Sequence, residues 1–207
     1  MKRPLTVMLI PAALAALSPP AFAHHLMGGK MPSTFTEGIL SGLGHPVIGI
    51  DHFAAVVAIG CLAAAHRAGA ALAVAFVAAM MCGVAVHLQA VTVPAAEILV
   101  ALSVFALGTI LLRRRDLPLA AALALFVVVG LIHGYALGES IYGAERTPLV
   151  AYLLGLAVIQ SVVALAAMGI ARGFAKSDAV KLRLIGAGVA GIGLAVLVQQ
   201  IIPAPPA

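Results

Sequence analysis

The stretch His45-Pro46-Val47-Ile48-Gly49-Ile50-Asp51-His52 places two imidazoles and a carboxylate within eight residues of an otherwise apolar segment. A second such segment ends in His133-Gly134-Tyr135-Ala136-Leu137-Gly138-Glu139. Neutral imidazole nitrogens with one or two carboxylates suit borderline divalent ions such as Ni²⁺, Co²⁺ and Zn²⁺, whereas thiolates and thioethers suit copper(I). Nitrogen and oxygen donors dominate here. His45 and His52 are seven apart, nearly two helical turns, so they share one helix face, with Asp51 ~100° round from His52. Pro46 removes a backbone donor and Gly49 loosens the turn, so a kink is expected where carbonyl oxygens could join the side chains as ligands.

The elements that carry these residues must lie in a membrane. Of the 207 residues, 63% are hydrophobic and 9% charged, which excludes a soluble globular domain. The formal charge of +5 is therefore read by its position and not as a nucleic-acid signal. Lys2 and Arg3 precede an apolar run, Leu5 to Leu17, that ends in Ser18-Pro19-Pro20-Ala21-Phe22-Ala23. This is a signal-peptide pattern, with cleavage expected after Ala23, so residues 1–23 are leader and 24–207 the membrane domain.

Beyond a short polar leader, His24 to Thr36, hydrophobicity resolves into six stretches, about 38–64, 70–91, 95–112, 118–138, 148–170 and 183–202. The expected fold is an all-α membrane protein of six transmembrane helices, with breaks at Arg67, Thr92 to Pro94, Arg113 to Asp116, Gly143 to Pro148 and Arg172 to Lys181. With the mature N-terminus outside, the inner loops carry Arg67, Arg113, Arg114, Arg115, Arg172, Lys176, Lys181 and Arg183, and the outer segments only Lys30 and Arg146. That bias agrees with the signal peptide and puts both termini outside. Six spans divide as three plus three, a count that permits an inverted repeat. Ala-rich runs and the series Gly186, Gly188, Gly191, Gly193 read as close-packing faces.

An ionisable side chain near mid-bilayer costs ~2.5 to 3.5 kcal/mol on insertion scales, so each needs a partner or a function. Along a straight helix from Gly38, Asp51 and His52 fall ~20 Å down, with His45 ~10 Å above them. His133 and His87 fall in the outer halves of their helices and Glu139 at an outer end, so these groups could form a ladder from the outer face to the midplane, with a further seven-step to His66. The plainer readings are a hydrogen-bonded triad pinning helix packing for His45, Asp51 and His52, and a solvated loop position for Glu139. His66 beside Arg67 reads as an interfacial residue, Glu145 and Arg146 as a solvated pair, and His87 and Glu97 stay open. Met80-Met81-Cys82 would be a copper set, but methionine commonly fills apolar interfaces. Cys61 and Cys82 have no metal-ligand spacing, indicate no disulfide framework and read as small packing residues. A mature N-terminus at His24-His25 would offer an outer chelating group.

His45-Pro46-x-x-Gly49-x-Asp51-His52 followed by Gly60, together with His133-Gly134-Tyr135-Ala136-x-Gly138-Glu139, resembles the two motifs of the HupE/UreJ family of nickel permeases. The likeness covers essentially the whole chain. Ile132 stands where the family has an aromatic residue, a departure outside the ligands. The resemblance implies passage of nickel, and sometimes cobalt, across the bacterial inner membrane to supply urease or hydrogenase maturation. His45, Asp51 and His52 would handle the metal on the first helix, and His133 and Glu139 would complete the set. The ion is cargo and not a resident cofactor, and the implied partners are the bilayer and a metallochaperone or maturation proteins.

Conduction needs sites that bind well enough to replace hydration yet release, so several partial sites are expected in preference to one closed cage. No G-x-x-x-x-G-K-[ST] motif is present, so the chain is not expected to hydrolyse ATP itself. Because histidine ligates only when neutral, uptake should fall as pH drops through ~6.5. Two other classes fit the same residues. One is an intramembrane metal-dependent hydrolase, with His45, His52 and His133 on zinc and Asp51 or Glu139 activating water. The other is a metal sensor or scaffold that binds without conducting.

Overall fold

A computed structural model describes residues 30–113, 117–177 and 179–202, without the side chains of 175–179. The signal peptide, His24, His25, Arg114 and Arg115 lie outside the described residues, as do the side chains of Lys176 and its neighbours. Every regular element among those described is helical: α1 (Phe35–Ile48), α2 (Ile50–Ala63), α3 (Gly69–Leu88), α4 (Ala96–Arg113), α5 (Leu119–Gly138), a 3-10 turn (Glu139–Ile141), α6 (Arg146–Ser177) and α7 (Ala179–Ile201). The five helices α3 to α7 are each long and apolar enough to cross a membrane. α1 and α2 pass the same test only as a pair, and they meet at 78°. Counted as one broken span, the pair brings the candidate spans among the described residues from five to six.

Local chemistry explains where α1 starts and stops. The Thr34 hydroxyl accepts the Glu37 N–H at 3.2 Å, and the Glu37 carboxylate accepts the N–H groups of Ser33 at 2.7 Å and Thr34 at 3.2 Å. This capping box satisfies donors that a helix start leaves open, so α1 begins three residues before the hydrophobic stretch suggested. At the other end Pro46 cannot donate to the preceding turn, and the Gly49 N–H closes the last turn on the His45 carbonyl at 2.9 Å. Gly49 itself is extended, with φ −70° and ψ 97°, which any residue adopts. Glycine is favoured there by contact, since a Cβ would press on the His52 ring at 3.0 Å and touch the Asp51 carboxylate at 3.4 Å.

Two expectations are corrected. The kink expected at Pro46 and Gly49 is present, and at 78° it is too sharp for a depth counted along a straight helix from Gly38 to hold. The predicted interruption from Arg172 to Lys181 shrinks to a junction, because α6 runs 32 residues, to Ser177, before α7 starts at Ala179. At 1.5 Å per residue α6 is ~48 Å long, more than a ~30 Å hydrocarbon core requires.

Small residues set the packing. α3 and α5 run against each other through Gly83, Gly130 and Gly134, and a Cβ on Gly134 would run into the Met80 carbonyl. α1 meets α6 through Gly38, Gly42 and Gly155, and α4 meets α7 through Gly108, Gly186 and Gly193. Gly188, part of the same glycine series, faces open space and packs against nothing. Such close approach lets dispersion contacts hold helices together where lipid provides no hydrophobic drive. Large apolar side chains such as Val74, Val158 and Val180 point outward, as a lipid-facing surface requires.

Candidate metal centre

The bend, α4, α5 and α6 bring three histidines into one buried cluster. His52, two residues into α2 from Ile50, lies with Nδ1 2.8 Å from Nδ1 of His133 on α5. His45, near the end of α1, stands edge-on to His52 with ring centroids 6.4 Å apart, and edge-on to Tyr152 of α6 at the same distance. All three imidazoles are buried, His133 completely. The helical seven-step alone does not bring His45 and His52 together, because the chain turns between them. The turn keeps them neighbours.

Asp51 is also buried, and its Oδ1 accepts the backbone N–H of His52 at 2.8 Å. The carboxylate therefore sits in the first turn of α2, where free N–H groups and the positive end of the helix dipole favour an anion. It fixes the backbone that carries His52.

Ser103, which the sequence reading passed over, sets the proton arrangement. Its Oγ lies 2.7 Å from the Val100 carbonyl, which can only accept, so the hydroxyl proton points there. The same Oγ, 2.8 Å from Nε2 of His133, then accepts from that ring. A neutral His133 protonated on Nε2 presents a lone pair on Nδ1, and His52 donates to it from its own Nδ1–H. One proton separates two ring nitrogens. At a metal–imidazole bond of ~2.0 to 2.1 Å, two nitrogens at a right angle about an ion lie ~3 Å apart. The observed 2.8 Å is close to that bite.

Tyr152 holds the other side. Fully buried, its hydroxyl donates to the Leu137 carbonyl at 2.8 Å, tying α6 to the end of α5, and Ser140 adds a bond at 3.1 Å. The signal available for Ser103 and Tyr152 was weak: a lone Ser and a lone Tyr in apolar helices are common, and only the fold shows what they touch.

The remaining expected residues lie elsewhere. Glu139 is exposed in the 3-10 turn after α5. His87 sits near that end, its Cβ against Gly138 and its ring between Tyr135 and Tyr142, at 4.7 and 5.7 Å. Its Nδ1 is buried without a hydrogen-bond partner. Glu97 is exposed in the first turn of α4, and His66 lies in the α2–α3 connection, where its carbonyl accepts from Arg172 at 3.2 Å. Met80, Met81 and Cys82 are buried, half-buried and exposed in turn, so they diverge and make no copper set. Cys61 packs in the core, but Cys82 faces outward, against the expectation that both are packing residues; both thiols are free. Among the described residues no three His, Cys, Asp or Glu side chains converge at metal-holding geometry.

Residues 12–196 match the HupE / UreJ protein family. The chain belongs to this family. It is 32% identical over 192 residues to Protein HupE of Rhizobium leguminosarum bv. viciae, covering 91% of this chain and 97% of that relative. No solved structure matches the chain. HupE/UreJ membership makes this a multi-pass membrane protein of the nickel-transport accessory type and not an enzyme. Both motif histidines that meet at 2.8 Å belong to the segments that carried the resemblance.

Proposed function

We propose that this HupE/UreJ protein is a permease that carries Ni²⁺, and Co²⁺ as the next candidate, from periplasm to cytoplasm for urease or hydrogenase maturation. The observation that carries the reading is the His52–His133 pair, two imidazoles sharing one proton inside an apolar bundle with the second ring held by Ser103. With His52 in its other neutral tautomer, its proton carried on Nε2, a divalent ion would take the place between the two Nδ1 atoms, and the opened pair would become two cis ligands. His45 stands next to His52 as the neighbouring donor, and Asp51 supplies the compensating negative charge. A site of two or three ligands binds and releases, as conduction needs.

His87 and Glu139 form an outer approach to this pair, with His24 and His25 of the processed N-terminus ahead of them. The basic-residue bias supports the part of this reading that puts both termini in the periplasm of an inner-membrane protein. The helix pairings fit a three-plus-three inverted repeat: exchange of the halves maps α3 with α5 onto α6 with the α1–α2 pair, and α4 with α7 onto itself. A hydrolase needs three protein ligands and an open position on one tightly held ion, an arrangement the histidine cluster does not favour.

The test is uptake of radioactive nickel and cobalt into proteoliposomes at matched protein incorporation. Saturable entry with wild-type protein, abolished in Asp51→Asn and His52→Ala, is expected. No entry above protein-free vesicles, with folded and processed protein, would sink the permease reading in favour of a sensor or scaffold.

A further inference from the structure

Three of the crossing helices leave a seam between them. α3 closes on α5 through Gly83, Gly130 and Gly134, and α4 closes on α7 through Gly108, Gly186 and Gly193. The meeting of α4 with the α3–α5 pair is left to larger side chains, and near the α3–α4 loop they do not fill it. A cleft of about 230 Å³ lies there. Gly83, buried where α3 touches α5, is at its back, and the half-buried Ala96 of α4 and Ile132 of α5 line it. Val86, Leu99 and Leu131 stand at its mouth, 39%, 37% and 37% exposed.

The lining side chains offer water little to bond. Their polar atom is the Tyr135 hydroxyl, which already donates to the Val91 carbonyl at 2.8 Å and accepts the Val93 N–H at 3.0 Å. A buried water needs roughly two to four polar partners, and apolar cavities of ~150 Å³ inside proteins stay dry and take up small hydrocarbons. Left empty, the cleft would cost its walls the dispersion contacts on which helix association in lipid depends. α3, α4 and α5 are each long and apolar enough to cross a membrane, and the mouth opens on their outward apolar side chains. Lipid hydrocarbon is therefore the matter at the entrance.

We propose that this cleft binds an acyl chain of a bilayer phospholipid, which enters between Leu99 and Leu131, seats against Ile132 and Gly83, and wedges the start of α4 against the α3–α5 pair. The Ser103–His133 bond, at 2.8 Å, crosses the same seam one turn along α4 from Leu99 and one residue along α5 from Ile132. A chain in the cleft thus supports the helix that carries the Ser103 hydroxyl. The lipid site is separate from the metal centre and does not depend on which ion the protein carries.

The protein is reconstituted into vesicles of phosphatidylethanolamine and phosphatidylglycerol that contain a phosphatidylethanolamine with a photoactivatable diazirine in its acyl chain. After irradiation the labelled residues are mapped by mass spectrometry. Labelling at Gly83, Ala96 and Ile132 is expected, beside the labelling that outward residues such as Val74 and Val158 receive from surrounding lipid. Ile132→Phe and Ala96→Leu each fill the cleft without adding a polar group. In both variants labelling at the remaining cleft residues should be lost while that at Val74 and Val158 is unchanged. Their unfolding midpoints in a fluorinated surfactant, which supplies no hydrocarbon chain, should rise above that of the wild type, because a void has been filled. Wild-type labelling confined to outward residues would overturn the site. So would cleft labelling that persists in both folded variants, which would make the seam ordinary lipid-facing surface, or a lowered midpoint in both, which would show a seam already closed by protein atoms.

Discussion

Two histidines on neighbouring helices, His133 and His87, sit in opposite circumstances. His133 is fully buried, with both ring nitrogens engaged, one by Ser103 and one by His52. His87 is half-buried between two tyrosines with a buried, unpartnered Nδ1, near an exposed Glu139. The inner region is a preorganised proton arrangement. The region of His87 lies beside a loop in which Ala90 and Ala95 both adopt positive φ, 57° and 56°. Tyr135 pins that loop by donating to the Val91 carbonyl at 2.8 Å and accepting the Val93 N–H at 3.0 Å. On the permease proposal, the preorganised pair is where the ion would shed water.

That contrast is broken most severely at its core. His133→Ala should abolish nickel uptake, while His87→Ala should only reduce it; equal losses would erase the distinction between the two regions. Next in size, Ser103→Ala frees the His133 ring, and equilibrium nickel affinity should drop ~10- to 100-fold, as loss of an orienting partner does at metal sites. Ser103→Thr keeps the hydroxyl and should retain affinity. If both variants bound like wild type, the tautomer argument would fail.

Gly134→Leu acts on the scaffold beneath both regions. Its side chain would collide with the Met80 backbone, and the α3–α5 contact should lose at least ~1 to 3 kcal/mol, visible as a lower unfolding midpoint in detergent. The smallest expected effect is at the outer loop. Tyr135→Phe removes two hydrogen bonds of ~0.5 to 1.5 kcal/mol each, so hydrogen exchange around residues 90–95 should quicken with little change in nickel affinity at the inner pair. A large affinity loss would mean that the loop is part of the binding unit.

Much of this was legible in the residues. Hydropathy alone separates the six apolar stretches, because a span must be continuous and apolar, and ionisable groups inside such stretches advertise themselves by their cost. Pro46 and Gly49 announced a distortion, but its 78° size depends on how α6 supports both halves, which no local pattern encodes. The start of α1 was misplaced because hydropathy is blind to the Thr34–Glu37 cap. The extension of α6 was missed because basic residues that mark a membrane edge are also good helix formers. Ser103 and Tyr152 escaped notice since uncharged polar residues are unremarkable until their neighbours are known. Glu139 matches its motif in sequence, yet at the end of α5 it is placed apart from the buried histidines.

The central claim is that His52 and His133 together take the ion, and X-ray absorption at the nickel edge of the loaded, reconstituted protein tests it most directly. Two imidazole nitrogens at ~2.0 to 2.1 Å are expected in the wild type, falling to one in His133→Ala. A shell of oxygen alone, or one unchanged by His133→Ala, would contradict it.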